Sequence, residues 1–142
     1  MRDALRTSED YELFLYTLSE HFPVIGRSTV RLIRRGTTLA KVTGEVYFDK
    51  DVRLVVRERI VYHRLPVTID EYGYEVWQRE TKLYWYDSQP HPNEPTLQST
   101  HPHHKHVHPN IKHNRVPALE MRFDRPNLPI LLREIEELLK TL

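Results

Sequence analysis

Residues 99 to 115, STHPHHKHVHPNIKHNR, hold six of the chain's nine histidines together with Lys105, Lys112 and Arg115. Imidazole titrates near neutral pH, so one ring can take the proton from a ribose 2′-hydroxyl while another protonates the departing 5′-oxygen. Lys105, Lys112 and Arg115 would hold the phosphate between them and stabilise the charge that builds on it in the transition state. The chain carries no Asp or Glu from Pro95 to Leu119. Histidines and cations without carboxylates are the residue types of metal-independent phosphodiester cleavage.

Two other readings use the same residues. His101, His103, His104, His106 and His108 include HxH pairs that share a face in an extended segment, and three such rings would ligate zinc. Against zinc stand the lack of cysteine, of an HExxH helix and of a nearby carboxylate to orient the rings. Magnesium, which wants charged oxygen ligands, fits worse. The third reading is a solvated loop, or a phosphate-binding arm without turnover. Val107, Ile111 and Val116 are apolar anchors that would pin such a loop to the aromatic arm LYWYD before it. No cofactor is expected.

The elements that must position these residues follow from periodicity. A helix is predicted from Thr7, its cap, to Phe22, with Tyr11, Phe14, Leu15, Leu18 and Phe22 on one stripe. The period then becomes two over Thr29–Arg35, Thr38–Phe48 and Val52–His63, and a hairpin of Tyr72–Arg79 and Lys82–Asp87 turns at Glu80 and Thr81. In the third of these runs one side is oily, and Arg53, Arg57 and Arg59 line the other. With Arg31 and Arg35 they form a stripe suited to an RNA backbone, beside aromatics that would stack on bases. An ordinary solvated face balanced by Glu45 and Glu75 is the alternative. Glu58 breaks the oily side, which calls for a bulge or for an arginine or tyrosine partner. Regular structure is expected to stop from Ser88 to Pro117, where six prolines fall. Ala118–Phe123 is a candidate short strand. A closing helix begins at Asn127 with Pro129 in its first turn and a stripe from Leu128 to Leu142 that reads as core. The expectation is one α+β domain over residues 1–142: an antiparallel meander of about five strands, two terminal helices and a long His/Pro-rich loop.

At 142 residues, with 39% hydrophobic and 29% charged residues, the composition is that of a globular protein. No apolar run nears the roughly 20 residues of a bilayer span. Absent a signal-like segment or any cysteine, a cytoplasmic location is the expectation. The net charge of +1 places any attraction to nucleic acid in the distribution of charge.

The stretch LYWYDSQPHPNEPTLQSTHPHHKHVHPNIKHNRVPA, followed by RPNLPILLREIEELL, closely resembles the TumE family of toxin components from bacterial and archaeal toxin-antitoxin pairs. YELFLYTLSEHFP and GEVYF resemble it too, so the likeness covers nearly the whole chain. His108 departs from it, standing where the family pattern has proline. The resemblance implies a growth-inhibiting toxin encoded beside a helix-turn-helix antitoxin. Within the matched motifs, residue chemistry selects His104, His106 and His113 as acid/base candidates, with His91 in reserve. Lys105, Lys112 and Arg115 are the phosphate ligands, and Arg53, Arg57 and Arg59 the further substrate contacts. A ribonuclease and a non-catalytic module that blocks an RNA or protein target both remain open at this point.

Overall fold

The computed structural model describes residues 3–88, 104–107, 115–117 and 120–142, with His104 and residues 115–117 described through their backbone. The chain opens with α1 (Ser8–Tyr16) and a single turn, α2 (Leu18–His21). Thr7 caps α1, its Oγ1 accepting from the Asp10 amide at 3.0 Å. The single helix expected here is divided at Thr17, whose hydroxyl bonds back to the Leu13 carbonyl at 2.8 Å.

The five expected strands are present as β2 (Arg31–Arg35), β3 (Leu39–Tyr47), β4 (Val52–Val61), β5 (Thr68–Gln78) and β6 (Thr81–Asp87). Three short strands join them: β1 (Arg27–Ser28), β7 (His104–His106) and β8 (Arg115–Pro117). The sheet is antiparallel, in the order β1-β3-β4-β5-β6-β7-β8, with β2 also paired to β3. β1 and β2 are one edge interrupted at Thr29 and Val30. There the backbone passes Gly44, where a Cβ would meet the Thr29 carbonyl oxygen at 2.6 Å and where φ is +147°.

β7 and β8 correct the expectation that regular structure stops between Ser88 and Pro117. Each is three residues long, too short to show a period, and each exists through pairing with an already formed neighbour. The remainder of the expected loop lies outside the described residues. The candidate strand at 118–123 is corrected as well, because residues 120–123 are not in a strand and the pairing falls at 115–117.

The helices cover one face of the sheet. Val52, Leu54, Val56, Glu58 and Ile60 of β4 are buried, while Arg53, Val55, Arg57 and Arg59 alternate to the opposite face. The final helix, α3 (Leu128–Leu139), buries Leu128, Leu131, Leu132 and Ile135 completely; Leu138 and Leu139 are partly buried against the core, and Leu142, at the end of the expected stripe, is exposed. Among the described residues no helix is long and apolar enough to cross a membrane.

Glu58 stays inward and takes tyrosine partners. Its Oε1 accepts from the Tyr11 hydroxyl of α1 and its Oε2 from the Tyr74 hydroxyl of β5. Asn127, at the start of α3, donates from Nδ2 to the Tyr74 hydroxyl at 3.1 Å. Burial pushes the Glu58 carboxyl above its ordinary value despite both hydroxyl donors. The folded state therefore holds this proton to higher pH than the unfolded chain does. The stability of the wild type relative to Glu58→Gln is greatest below about pH 4.3 and falls as pH rises through the raised folded value, by at most about 1.4 kcal/mol per pH unit. Paired urea titrations from acid to neutral pH check this, and a difference that widens with pH contradicts it.

Candidate active site

His106 and Lys105 are neighbours on β7, so their side chains leave the sheet on opposite faces. The His106 ring is 2% exposed, lies 3.9 Å from the Trp85 ring in a stacked arrangement, and places Nε2 3.1 Å from Asp87 Oδ2. The same Asp87 oxygen accepts from the Trp85 indole N–H at 3.1 Å. Trp85 and Asp87 are two apart on β6 and share the outward face, and Trp85 is in register with His106. The carboxylate missing from the histidine stretch thus comes from the adjacent strand.

Asp87 also lines a groove of about 520 Å³ on the open face of the sheet. Gly73 forms its floor, standing in register between Arg57 on β4 and Asp87 on β6. A Cβ at Gly73 would sit 2.3 Å from Arg57 Nη2, so the absent side chain is what lets the guanidinium lie across β5. Arg35, Lys41, Glu58, Arg59 and Glu71 complete the charged lining. Arg59 is neutralised, with Nε 2.7 Å from Asp70 Oδ2 and Nη2 3.5 Å from Glu71. A bulge at Arg59/Ile60 inserts the extra β5 residue, Asp70, that makes this pairing.

The structure brings together only part of the expected constellation. His104 stands in register with Asp87, and Arg115 in register with His106, which sets both backbones beside the dyad. Arg57 reaches the same groove. Lys105 does not: its ammonium faces α3, 3.5 Å from Glu134 and 4.4 Å from the centre of the Tyr84 ring. Arg53 is held by Glu45 at 3.2 Å and by the Arg79 carbonyl at 2.9 Å, above Trp77. His91, Lys112 and His113 lie outside the described residues, as do His101, His103 and His108 of the zinc reading. Among the described residues no three metal-ligating side chains converge. Sequence reasoning missed Asp87, Lys41 and Gly73. The signal for Asp87 was present in LYWYD, where period two puts the acid on the face of Trp85.

A family model described as Toxin TumE matches residues 14–139, which span the entire sheet, the groove and α3. The chain belongs to the TumE toxin family. It is thereby a toxin of a toxin-antitoxin system, with an antitoxin as partner. No curated protein and no solved structure matches it.

In this TumE toxin Asp87 is the shared acceptor for two ring N–H groups, so truncation removes this acceptor from both. Asp87→Ala is expected to cost about 1–2 kcal/mol in urea unfolding. Asp87→Asn, whose amide oxygen still accepts from Trp85, is expected to cost less. Equal losses in the two variants would show that the acceptor does not matter.

Proposed function

We propose that this toxin is a metal-independent ribonuclease in which His106, oriented by Asp87, serves as a general acid or base beside a phosphate held by Arg57. The observation that carries the reading is the His106–Asp87 contact at the rim of a basic groove. In the neutral ring, Nε2 carries the hydrogen donated to Asp87, which leaves Nδ1 as the basic atom and fixes its direction. The two proton transfers of the reaction need two groups, and His104 and His113 supply the second, with Lys112 and Arg115 as further phosphate ligands. A helix-turn-helix antitoxin that covers this face and a cytoplasmic site of action complete the proposal.

The 2% exposure of His106 favours a second reading. In it the Trp85–His106–Asp87 stack is a clamp that fastens β7 to the sheet, and the toxin blocks its target by occupancy. The two readings differ in turnover.

Purified protein with EDTA should cut an RNA pool to fragments bearing 2′,3′-cyclic phosphate ends, many per protein molecule. His106→Ala should lower the rate by about 10²- to 10⁴-fold. RNA left intact by excess protein, together with stoichiometric growth inhibition, selects the occupancy reading. A His104→Ala, His106→Ala, His113→Ala variant that remains as toxic as the wild type removes the histidines from the mechanism.

A further inference from the structure

The open face carries cations of two kinds. Arg53 and Arg59 are neutralised by Glu45, Asp70 and Glu71. Arg35, Lys41 and Arg57, all exposed and all lining the groove, have no ion pair or hydrogen bond among the described residues. These three stand on adjacent strands. Arg35 is in register with Leu39 and Arg57 with Thr43, so Lys41, two residues from each, is the diagonal neighbour of both. Diagonal positions on one face lie about 7–8 Å apart, so the three cations form a row of two such steps, in which each neighbouring pair can close on one phosphate of an extended strand. Of the carboxylates that line the groove, Glu58 is bonded to Tyr11 and Tyr74 and buried, Glu71 is taken by Arg59, and Asp87 by Trp85 with His106. The positive charge at its centre is therefore uncompensated.

The aromatic rings of this face are engaged by cations. Arg27 lies 4.3 Å from the Tyr47 centroid, and Arg53 and Lys82 lie 4.9 and 5.3 Å from Trp77. Lys82 and the His106 ring lie 4.0 and 3.9 Å from Trp85. The sequence had marked such aromatics for base stacking, but their faces are already occupied, which leaves the groove to read charge.

We propose that Arg35, Lys41 and Arg57 form a phosphate subsite, floored by Gly73, that binds the backbone of single-stranded RNA without regard to base and leads it toward Asp87 and His106. The ligand class rests on the ribonuclease reading, while the subsite itself is tested by binding alone. Contacts to backbone phosphate position a strand and carry no sequence information.

The probe is a fluorescent 2′-O-methyl oligonucleotide about 12 nucleotides long, which cannot be cleaved, titrated with the full chain at several salt concentrations. Arg35→Ala, Lys41→Ala and Arg57→Ala should each weaken binding about 5- to 10-fold at low salt. Each should also reduce the slope of log K against log salt by about 0.7. The charge-neutral double variants Arg53→Ala/Glu45→Ala and Arg59→Ala/Asp70→Ala should change affinity less than about twofold, because an ion pair removed whole leaves the net local charge unchanged. Gly73→Ala keeps every charge and displaces only the end of the flexible Arg57 side chain, and should weaken binding less than Arg57→Ala does, with folding checked by urea titration. Oligo(A) and oligo(U) should bind within about threefold of each other.

Losses as large in either charge-neutral double variant as in Arg57→Ala would overturn the subsite, as would a strong base preference. Displacement of the RNA by poly-glutamate at equal charge concentration would also overturn it, marking the groove as a docking surface for an acidic protein segment. If RNA binds as predicted but the natural strand is never cut, the subsite stands and the ribonuclease reading falls. If RNA is cut at full rate after all three cations are replaced, the subsite falls together with the role of Arg57 in cleavage, and the histidine chemistry stands.

Discussion

A carboxylate buried beneath the sheet is the constraint on which the remaining structure depends. Glu58 is 4% exposed and has no cation beside it in the described residues; two tyrosine hydroxyls and, behind one of them, an asparagine amide take the place of a countercharge. A buried polar group left without partners costs several kcal/mol, so Tyr11 of α1, Tyr74 of β5 and Asn127 at the head of α3 are held to one mutual geometry. Asn127 is further fixed through Arg122, accepting from its amide at 2.8 Å and donating to its carbonyl at 2.9 Å. Both helices are thereby keyed to the same point on β4. Apolar packing alone would tolerate a slide of either helix along the sheet, whereas this network would not.

The consequence appears on the opposite face. Because Glu58 keeps the inward phase of β4, Arg57 and Arg59 must point outward, and a shift of one residue would exchange the two sets. The phase passes along the sheet by register: Arg57 to Gly73, Gly73 to Asp87, and Asp87 to the backbone of His104. One row across four strands thus carries the guanidinium, the gap that admits it, the carboxylate and the start of the histidine strand.

Much of this was legible in the sequence because it is periodic. β3 and β4 alternate along most of their length, and the oily and basic sides of β4 can be read directly. Glu58 could be recognised as an exception that needed a partner, and tyrosine was among the partners its chemistry allowed. What escaped is what depends on contacts between distant residues. β7 and β8 are three-residue strands defined by their neighbours, and the sequence around them, rich in proline and histidine, argues for a loop. The basic stripe was visible as a face. Its division into neutralised and unpaired cations was hidden, because Asp70 reaches Arg59 only through a bulge that no local pattern announces. Asp87 escaped for a different reason: attention to the carboxylate-free stretch looked along the chain, while the acid lies across the strand.

The three residues of β7 show how closely the candidate site and the fold are joined. Lys105 turns inward, where its ammonium meets Glu134 of α3 and the rings of Tyr84 and Tyr86, and Tyr86 itself donates to Glu134 at 2.7 Å. His106 must then turn outward, against Trp85 and Asp87. A three-residue strand at the margin of a sheet has little pairing of its own to hold it, so these side-chain contacts on its two faces fix both its position and its phase. The docking of α3 thus reaches through Lys105 to the imidazole on the far side of the sheet. The distance is one peptide unit, and alternation makes the link obligatory: a change that frees Lys105 from Glu134 loosens the strand that carries His106, although the two side chains never meet.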